Sequence, residues 1–292
     1  MEKLFQAVYS GILYGSVYGL MAIGLTLIWG SLRMLNMAHG ALYVVGGYAA
    51  WAALNMLGLP TLAAFALGVI AAALAGLLMQ VLLINRLLGR ASFFNAAMIA
   101  TVGVAIVIES AALLIFGPRV KQMPAIVSGQ VKLLDVVIQY QGLVIIGVAA
   151  ISLILLSIFL KKTRYGLAIQ AVSQQMDAAR LMGIPTVLTF TIVMTISAGL
   201  AGLAGGLLSS VLYLSPTVGY TPLVKALVVT IFGGLGSVKG TIWAAYIIGL
   251  LEAFVQVYFG SGWALPLLFL FMILMLVIRP SGLFGQGEIQ RL

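Results

Sequence analysis

Polar positions are so sparse in this chain that its organisation follows from where they interrupt the apolar ones. Apolar runs fall at 6–30, 36–57, 60–85, 93–117, 141–160, 187–213, 221–235, 240–259 and 262–279. A helix rises about 1.5 Å per residue, so about 20 apolar residues cross the ~30 Å hydrocarbon core of a bilayer. Eight runs suit full spans. The run 221–235 is short and holds Lys225, which predicts a re-entrant or broken segment. The pattern therefore predicts an all-α, polytopic membrane bundle of eight to nine hydrophobic segments, with 1–292 forming one transmembrane domain. A membrane β-barrel would instead alternate apolar and polar residues over roughly 10-residue segments, and that pattern is absent. The first run is too long for a signal-peptide core and lacks a small-x-small site after it, so it reads as a retained span.

Two polar interruptions are long, and they differ. Residues 118–140 carry mixed charge and two prolines, whereas 161–186 open with Lys161, Lys162 and Arg164 directly after a span. Cations abutting a span mark the cytoplasmic side, which places 161–186 inside. Counting back from that loop puts Arg86 and Arg90 inside, 118–140 outside, the turn at Ser31–Leu35 inside and the N-terminus outside. If 221–235 crosses, Lys239, Arg279 and Arg291 also fall inside, together with the C-terminus.

Small residues recur at helical spacing. Gly11, Gly15 and Gly19 share one face of the first span, and Gly199, Gly202, Gly205 and Gly206 cluster in another. In lipid such stripes let backbones approach and pack by van der Waals contact, so the chain is read as a compact body of closely packed helices.

Composition narrows the function. With 63% hydrophobic and 7% charged residues and a mean hydropathy of +1.20, no soluble fold is compatible. The net charge of +9 comes from 15 basic residues scattered through short loops, which fits a positive-inside bias and not a nucleic-acid surface. The absence of cysteine removes disulfides, thiol chemistry and cysteine-ligated metal. No H-E-x-x-H, G-x-S-x-G or paired aspartates occur, and a single histidine makes no metal site, so no catalytic or metal-binding residue is expected. Neither is a nucleotide site, because G-x-x-x-x-G-K-[ST] is missing.

Ionisable residues inside spans are costly unless paired or wet, and so mark function or specific packing. Glu109, Lys225 and Glu252 are the candidates, and Lys225 is the obvious partner for one of the two acids. They admit three readings: an ion pair between helices, substrate contact in a pathway, or a proton carrier in an ion-coupled secondary transporter or channel. The segment "LRMLNMAHGALYVVGGYAA" adds Asn36 and the only histidine, His39, in a tight turn on the cytoplasmic side. There Asn36 is expected to cap the second span by accepting from the His39 N–H. A place at the inner mouth or gate of a pathway is the other reading.

In the 161–186 loop, "SQQMDAARLMGIP" predicts a short helix stopped by Gly183 and Pro185. A short amphipathic helix projecting from a membrane suits docking into a groove of a partner.

"DAARLMG" resembles the E-A-A-x-x-x-G loop of ABC-importer permeases. "TRYGLAIQAVSQ", "GGLGSVKGTIWAAYIIGLLE" and "LNMAHGALYVVGGY" resemble the hydrophobic, branched-chain amino-acid uptake branch of that family, the LivH type. The four motifs come in the expected order, and the resemblance spans about residues 8–284. Two departures stand: Asp177 replaces the family's Glu, and "VMTI" occupies the place of an I-x-L-P tail.

The resemblance implies a permease subunit that forms half of a translocation pathway in a bacterial inner membrane. It implies as partners a second related permease subunit, two ABC ATPase subunits and an extracytoplasmic substrate-binding protein, with ATP bound only by the ATPases and no cofactor in this chain. Residues 161–186 become the coupling loop, with Asp177, Ala178, Ala179 and Gly183 in the coupling contact and Arg180 on its polar rim. Branched-chain amino acids are the implied cargo. Urea and short-chain amide permeases resemble the same branch.

Overall fold

The computed structural model describes residues 2–133 and 136–285. Every apolar run is a helix. The order is α1 (Glu2–Leu32), α2 (His39–Asn55), α3 (Thr61–Met79), α4 (Asn85–Leu87), α5 (Phe93–Phe116), β1 (Gln130–Leu133), β2 (Val136–Gln139), α6 (Tyr140–Lys162), α7 (Arg164–Gln174), α8 (Met176–Leu181), α9 (Thr186–Ser209), α10 (Tyr220–Gly233), α11 (Val238–Phe259) and α12 (Ala264–Ile278). A π-helical turn, Gln80–Ile84, joins α3 to α4 in one continuous rod. Among the described residues, seven helical stretches are long and apolar enough to cross a membrane, which bears out the all-α polytopic bundle.

Two segments are shorter than a span. Helix α10 has 14 residues, about 21 Å of rise, in keeping with the expected short segment at 221–235. Helix α2 has 17 residues, about 25 Å, although the apolar run 36–57 predicts a full crossing. The reason lies in the chain reversal before it. Arg33 adopts a left-handed conformation, φ +53°, and residues 33–38 fold back along α1 into the bundle instead of turning at its end. His39 Nε2 then lies 3.0 Å from the Met21 carbonyl oxygen, eleven residues before the end of α1, or about 16 Å along its axis. Irregular backbone at such depth is tolerated because it is buried in protein and not in lipid.

The centre of the bundle is α1, most completely buried of the long helices, with α2 and α9 beside it; α5 and α12 are the least buried and form the rim. Close approach explains the glycine stripes. Gly46 of α2, Gly68 of α3 and Gly202 of α9 meet where three helices cross, and a Cβ at Gly46 would run into the Gly202 backbone. Helices α1 and α11 run antiparallel with Gly11 and Gly15 against Leu250 and Tyr246, and with Thr26 Oγ1 2.7 Å from Thr241 Oγ1.

The two ends of the bundle differ. At one end lies a β-hairpin with Gln130 paired to Gln139, in a stretch whose sequence reads only as a polar loop. It is tied down by Tyr9, which donates to the Gln139 carbonyl at 3.0 Å, by Gln141, which donates to Ser210 Oγ, and by backbone pairing of Lys121 with Leu214. At the other end lie Lys161, Lys162 and Arg164, where α6 turns into α7. Ser173 of α7 and Gly236 there approach Gly30 near the end of α1. Arg291 and the C-terminal residues lie outside the described residues.

Candidate functional site

The ionisable residues that the sequence singles out inside spans fall into two groups. Lys225 of α10 and Glu252 of α11 come together: Lys225 Nζ lies 2.6 Å from Glu252 Oε1. Lys225 also donates to the Tyr18 hydroxyl at 2.9 Å, and Tyr18 donates to Glu252 Oε2 at 2.9 Å. Gln256, one helical turn after Glu252, donates to Oε1 at 2.9 Å. The carboxylate therefore has three donors, and both of its oxygens are engaged, which is what a charge needs to survive away from water. Three helices, α1, α10 and α11, are tied by this cluster, so the sequence expectation of an ion pair between helices describes what forms. Glu109 stands apart. It is half-buried on α5 beside Ser110, Pro118 and Ser215–Thr217, lining a different cavity from Lys225.

The Lys225–Glu252 cluster forms one wall of a cavity of about 270 Å³. Tyr14, Tyr43 and Tyr213 share the lining, and Val17, Leu208 and Val218 give it an apolar side. Lys225 Nζ lies 5.2 Å from the Tyr18 ring centre, and Tyr14 stacks on Tyr18 at 6.1 Å. Sequence reading missed the tyrosines and Gln256. Gln256 carried a usable signal, four residues after an intramembrane acid and hence on the same helix face. Tyr18 carried none, because 207 residues separate it from Lys225.

Asn36 and His39 are both fully buried, not at the membrane surface as the sequence suggests. The expected bond from the Asn36 side chain to the His39 N–H does not form. Asn36 Oδ1 instead accepts from the Ala38 N–H at 3.0 Å, and the His39 N–H goes to the Asn36 backbone carbonyl at 3.3 Å. Met37 N–H donates to Thr101 Oγ1 at 3.1 Å. These bonds satisfy the backbone of the reversal locally. His39 Nδ1 has no protein partner among the described residues.

The second region is the 161–186 loop. It is more ordered than its sequence suggests, since α7 precedes the expected short helix. Thr163 caps α7 by accepting from the Gly166 N–H at 2.9 Å while donating to the Phe159 carbonyl at 2.8 Å. Gly166, Ile169 and Val172 face inward at helical spacing, and Gln170 donates to the Leu160 carbonyl at 2.6 Å. On this platform sits α8, where the predicted short helix lies. Ala179 points inward and is buried, whereas Asp177, Ala178 and Arg180 are exposed. Arg180 pairs loosely with Asp177 at 3.9 Å and donates from Nε to Thr186 Oγ1 at 3.2 Å, which ties α8 to the start of α9. Gly183, at φ +80°, ends the helix in a conformation that a side chain would strain. Beside it Leu181 and Met182 are 89% and 83% exposed. Two large apolar side chains at the tip of a braced polar loop make a surface without a cover among the described residues.

Residues 7–278 match the family model described as branched-chain amino acid transport system, permease component. The chain is 29% identical to the high-affinity branched-chain amino acid transport system permease protein BraD of Pseudomonas aeruginosa, over 98% of this chain and 97% of that protein. It is equally 29% identical to the corresponding permease LivH of Escherichia coli K12, with the same coverage. A probable LivH of Methanocaldococcus jannaschii is 28% identical over 94% of this chain and 90% of its own length. No solved structure matches.

Proposed function

The chain belongs to the permease family of branched-chain amino acid transport systems, and on that footing we propose that it forms half of the membrane pathway of an ATP-driven importer for branched-chain amino acids. The relatives' names give the cargo. The observation in this chain that carries the coupling is α8: a short helix braced by α7 and Thr186 that offers Leu181 and Met182 to something outside the chain. A groove on a cytoplasmic ATPase is the cover that fits it. In this reading Asp177, Ala178 and Arg180 form the contact surface, buried Ala179 seats the helix, and Gly183 sets the angle at which it stands. ATP closes the two ATPase subunits, and α8 passes that movement to α9 and α7 as a short lever.

The partners follow from the same reading: a second, related permease subunit, two ATPases that bind and hydrolyse the ATP, and a substrate-binding protein on the opposite face. The end with Lys161, Lys162, Arg164 and Arg180 faces the cytoplasm by the positive-inside rule. The N-terminus and the hairpin then face out, the C-terminus faces in, and the membrane is a bacterial inner membrane. Asn36 and His39 shape the reversal before α2, at a depth where the inner gate would lie, and Glu109 borders the outer opening. Both oxygens of Glu252 are already engaged by Tyr18, Lys225 and Gln256, which supports a fixed, interhelical place for this acid.

Reconstitution with the partner subunits tests the proposal. Leucine uptake should require ATP and the binding protein, and Asp177→Lys or Gly183→Trp should release the ATPases from the purified permease. Uptake driven by a proton gradient in the absence of ATPases would overturn it.

A further inference from the structure

The cavity beside the ion pair has a chemical character that points to its occupant. Its lining holds one cation and one anion, so the site is neutral overall, together with the apolar Val17, Leu208 and Val218. Lys225 donates to Tyr18 and to Glu252, which leaves the third proton of its ammonium without a partner among those bonds. Both residues line the cavity, Lys225 with its side chain 14% exposed and Glu252 with 1%. A carboxylate arriving from the cavity meets that third proton first. A positive group beside the carboxylate enters the field of Glu252, with Tyr14 and Tyr43 on the same lining.

A net charge brought into this weakly solvated space would upset the balance of the pair and remain uncompensated. A neutral amide or urea can accept from the third Lys225 proton through its carbonyl, but it brings no full charge to either ion and so gains less. A zwitterion with adjacent opposite charges keeps the site neutral and engages both signs. We propose that this cavity binds the zwitterionic head of an α-amino acid, with its carboxylate on Lys225, its ammonium on the Glu252 side, and its aliphatic side chain toward Val17, Leu208 and Val218. This rests on the reading of the chain as an amino-acid importer subunit and adds a site and a head-group chemistry to it.

The test uses the permease pair with its ATPases in nanodiscs, without the binding protein, and measures equilibrium binding of labelled L-leucine. Competitors are 3-methylbutylamine, which lacks the carboxylate, 4-methylpentanoate, which lacks the ammonium, and the neutral 4-methylpentanamide. Leucine should compete at least tenfold better than each. Lys225→Gln should weaken leucine at least tenfold and bring it level with 3-methylbutylamine, whose own binding changes less than twofold. The double variant Lys225→Met with Glu252→Leu removes both charges and keeps the volume. It should abolish discrimination among the four ligands while the complex still elutes as a single species. A purely structural pair predicts the opposite: a double variant that still prefers leucine tenfold overturns the proposal. So does a wild-type complex that binds no leucine although the full importer, with binding protein and ATP, transports it; the importer assignment survives that result. If the full importer moves no leucine under any condition, the importer reading fails and the proposal falls with it.

Discussion

Two oppositely charged pairs show what environment does to the same chemistry. Lys225 and Glu252 meet at 2.6 Å with their side chains 14% and 1% exposed; Arg180 and Asp177 meet at 3.9 Å with 50% and 83% exposed. The first pair, with Tyr18 and Gln256 around it, ties three helices of the chain to one another. The second, bathed in solvent, contributes no more than about 1 kcal/mol. What α8 offers beyond its charges is therefore Leu181 and Met182, which the fold leaves uncovered. The buried region finds its partners within the chain, whereas the exposed one has no cover among the described residues and, in the proposed function, is finished by an ATPase.

Mutation should separate them, and the largest effect belongs to the buried pair. Glu252→Leu alone strands the Lys225 charge, at a cost of about 3–5 kcal/mol. Folded yield and thermal stability should drop sharply and recover when Lys225→Met is added; an unaffected single variant would erase the contrast. Next comes the exposed tip. Leu181→Asp with Met182→Asp should leave folded yield unchanged and lower ATP-coupled uptake at least tenfold, equal to about 1.4 kcal/mol of coupling free energy. His39→Ala loses the bond to the Met21 carbonyl, which keeps its helical bond inside α1, for about 0.5–1.5 kcal/mol of stability. That effect should appear in thermal unfolding, with ATPase association intact. Smallest is Asp177→Ala, which should change stability by less than about 1 kcal/mol.

The same contrast shows what the sequence makes legible. Apolar runs located the helices to within a few residues, because bilayer thickness dictates their length. They did not show depth. The stretch from Arg33 to His39 reads as a surface turn, yet it folds back against Met21, since hydropathy along a chain cannot tell lipid contact from protein contact. Lys225, Glu109 and Glu252 were visible as costly charges in need of partners, but the choice of Glu252 over Glu109 as the acid paired with Lys225 came only from the packing of α10 on α11. Tyr18, distant in sequence and ordinary in type, became visible only when α1 packed against α11. In the loop, the short helix around Asp177 was legible from Gly183 and Pro185. Helix α7 also had a signal, the inward spacing of Gly166, Ile169 and Val172, masked by the polar residues between them. The hairpin strands are four residues each, too short for alternation to stand out.

The most direct measurement of the central claim is leucine uptake into proteoliposomes holding this chain, its partner permease and the ATPases, with the binding protein supplied on the opposite face. The account predicts uptake that needs ATP, stimulates its hydrolysis, and is lost in the Leu181→Asp, Met182→Asp variant although the complex is folded. Uptake by this chain alone under a proton gradient, insensitive to ATP and to changes in α8, would contradict it.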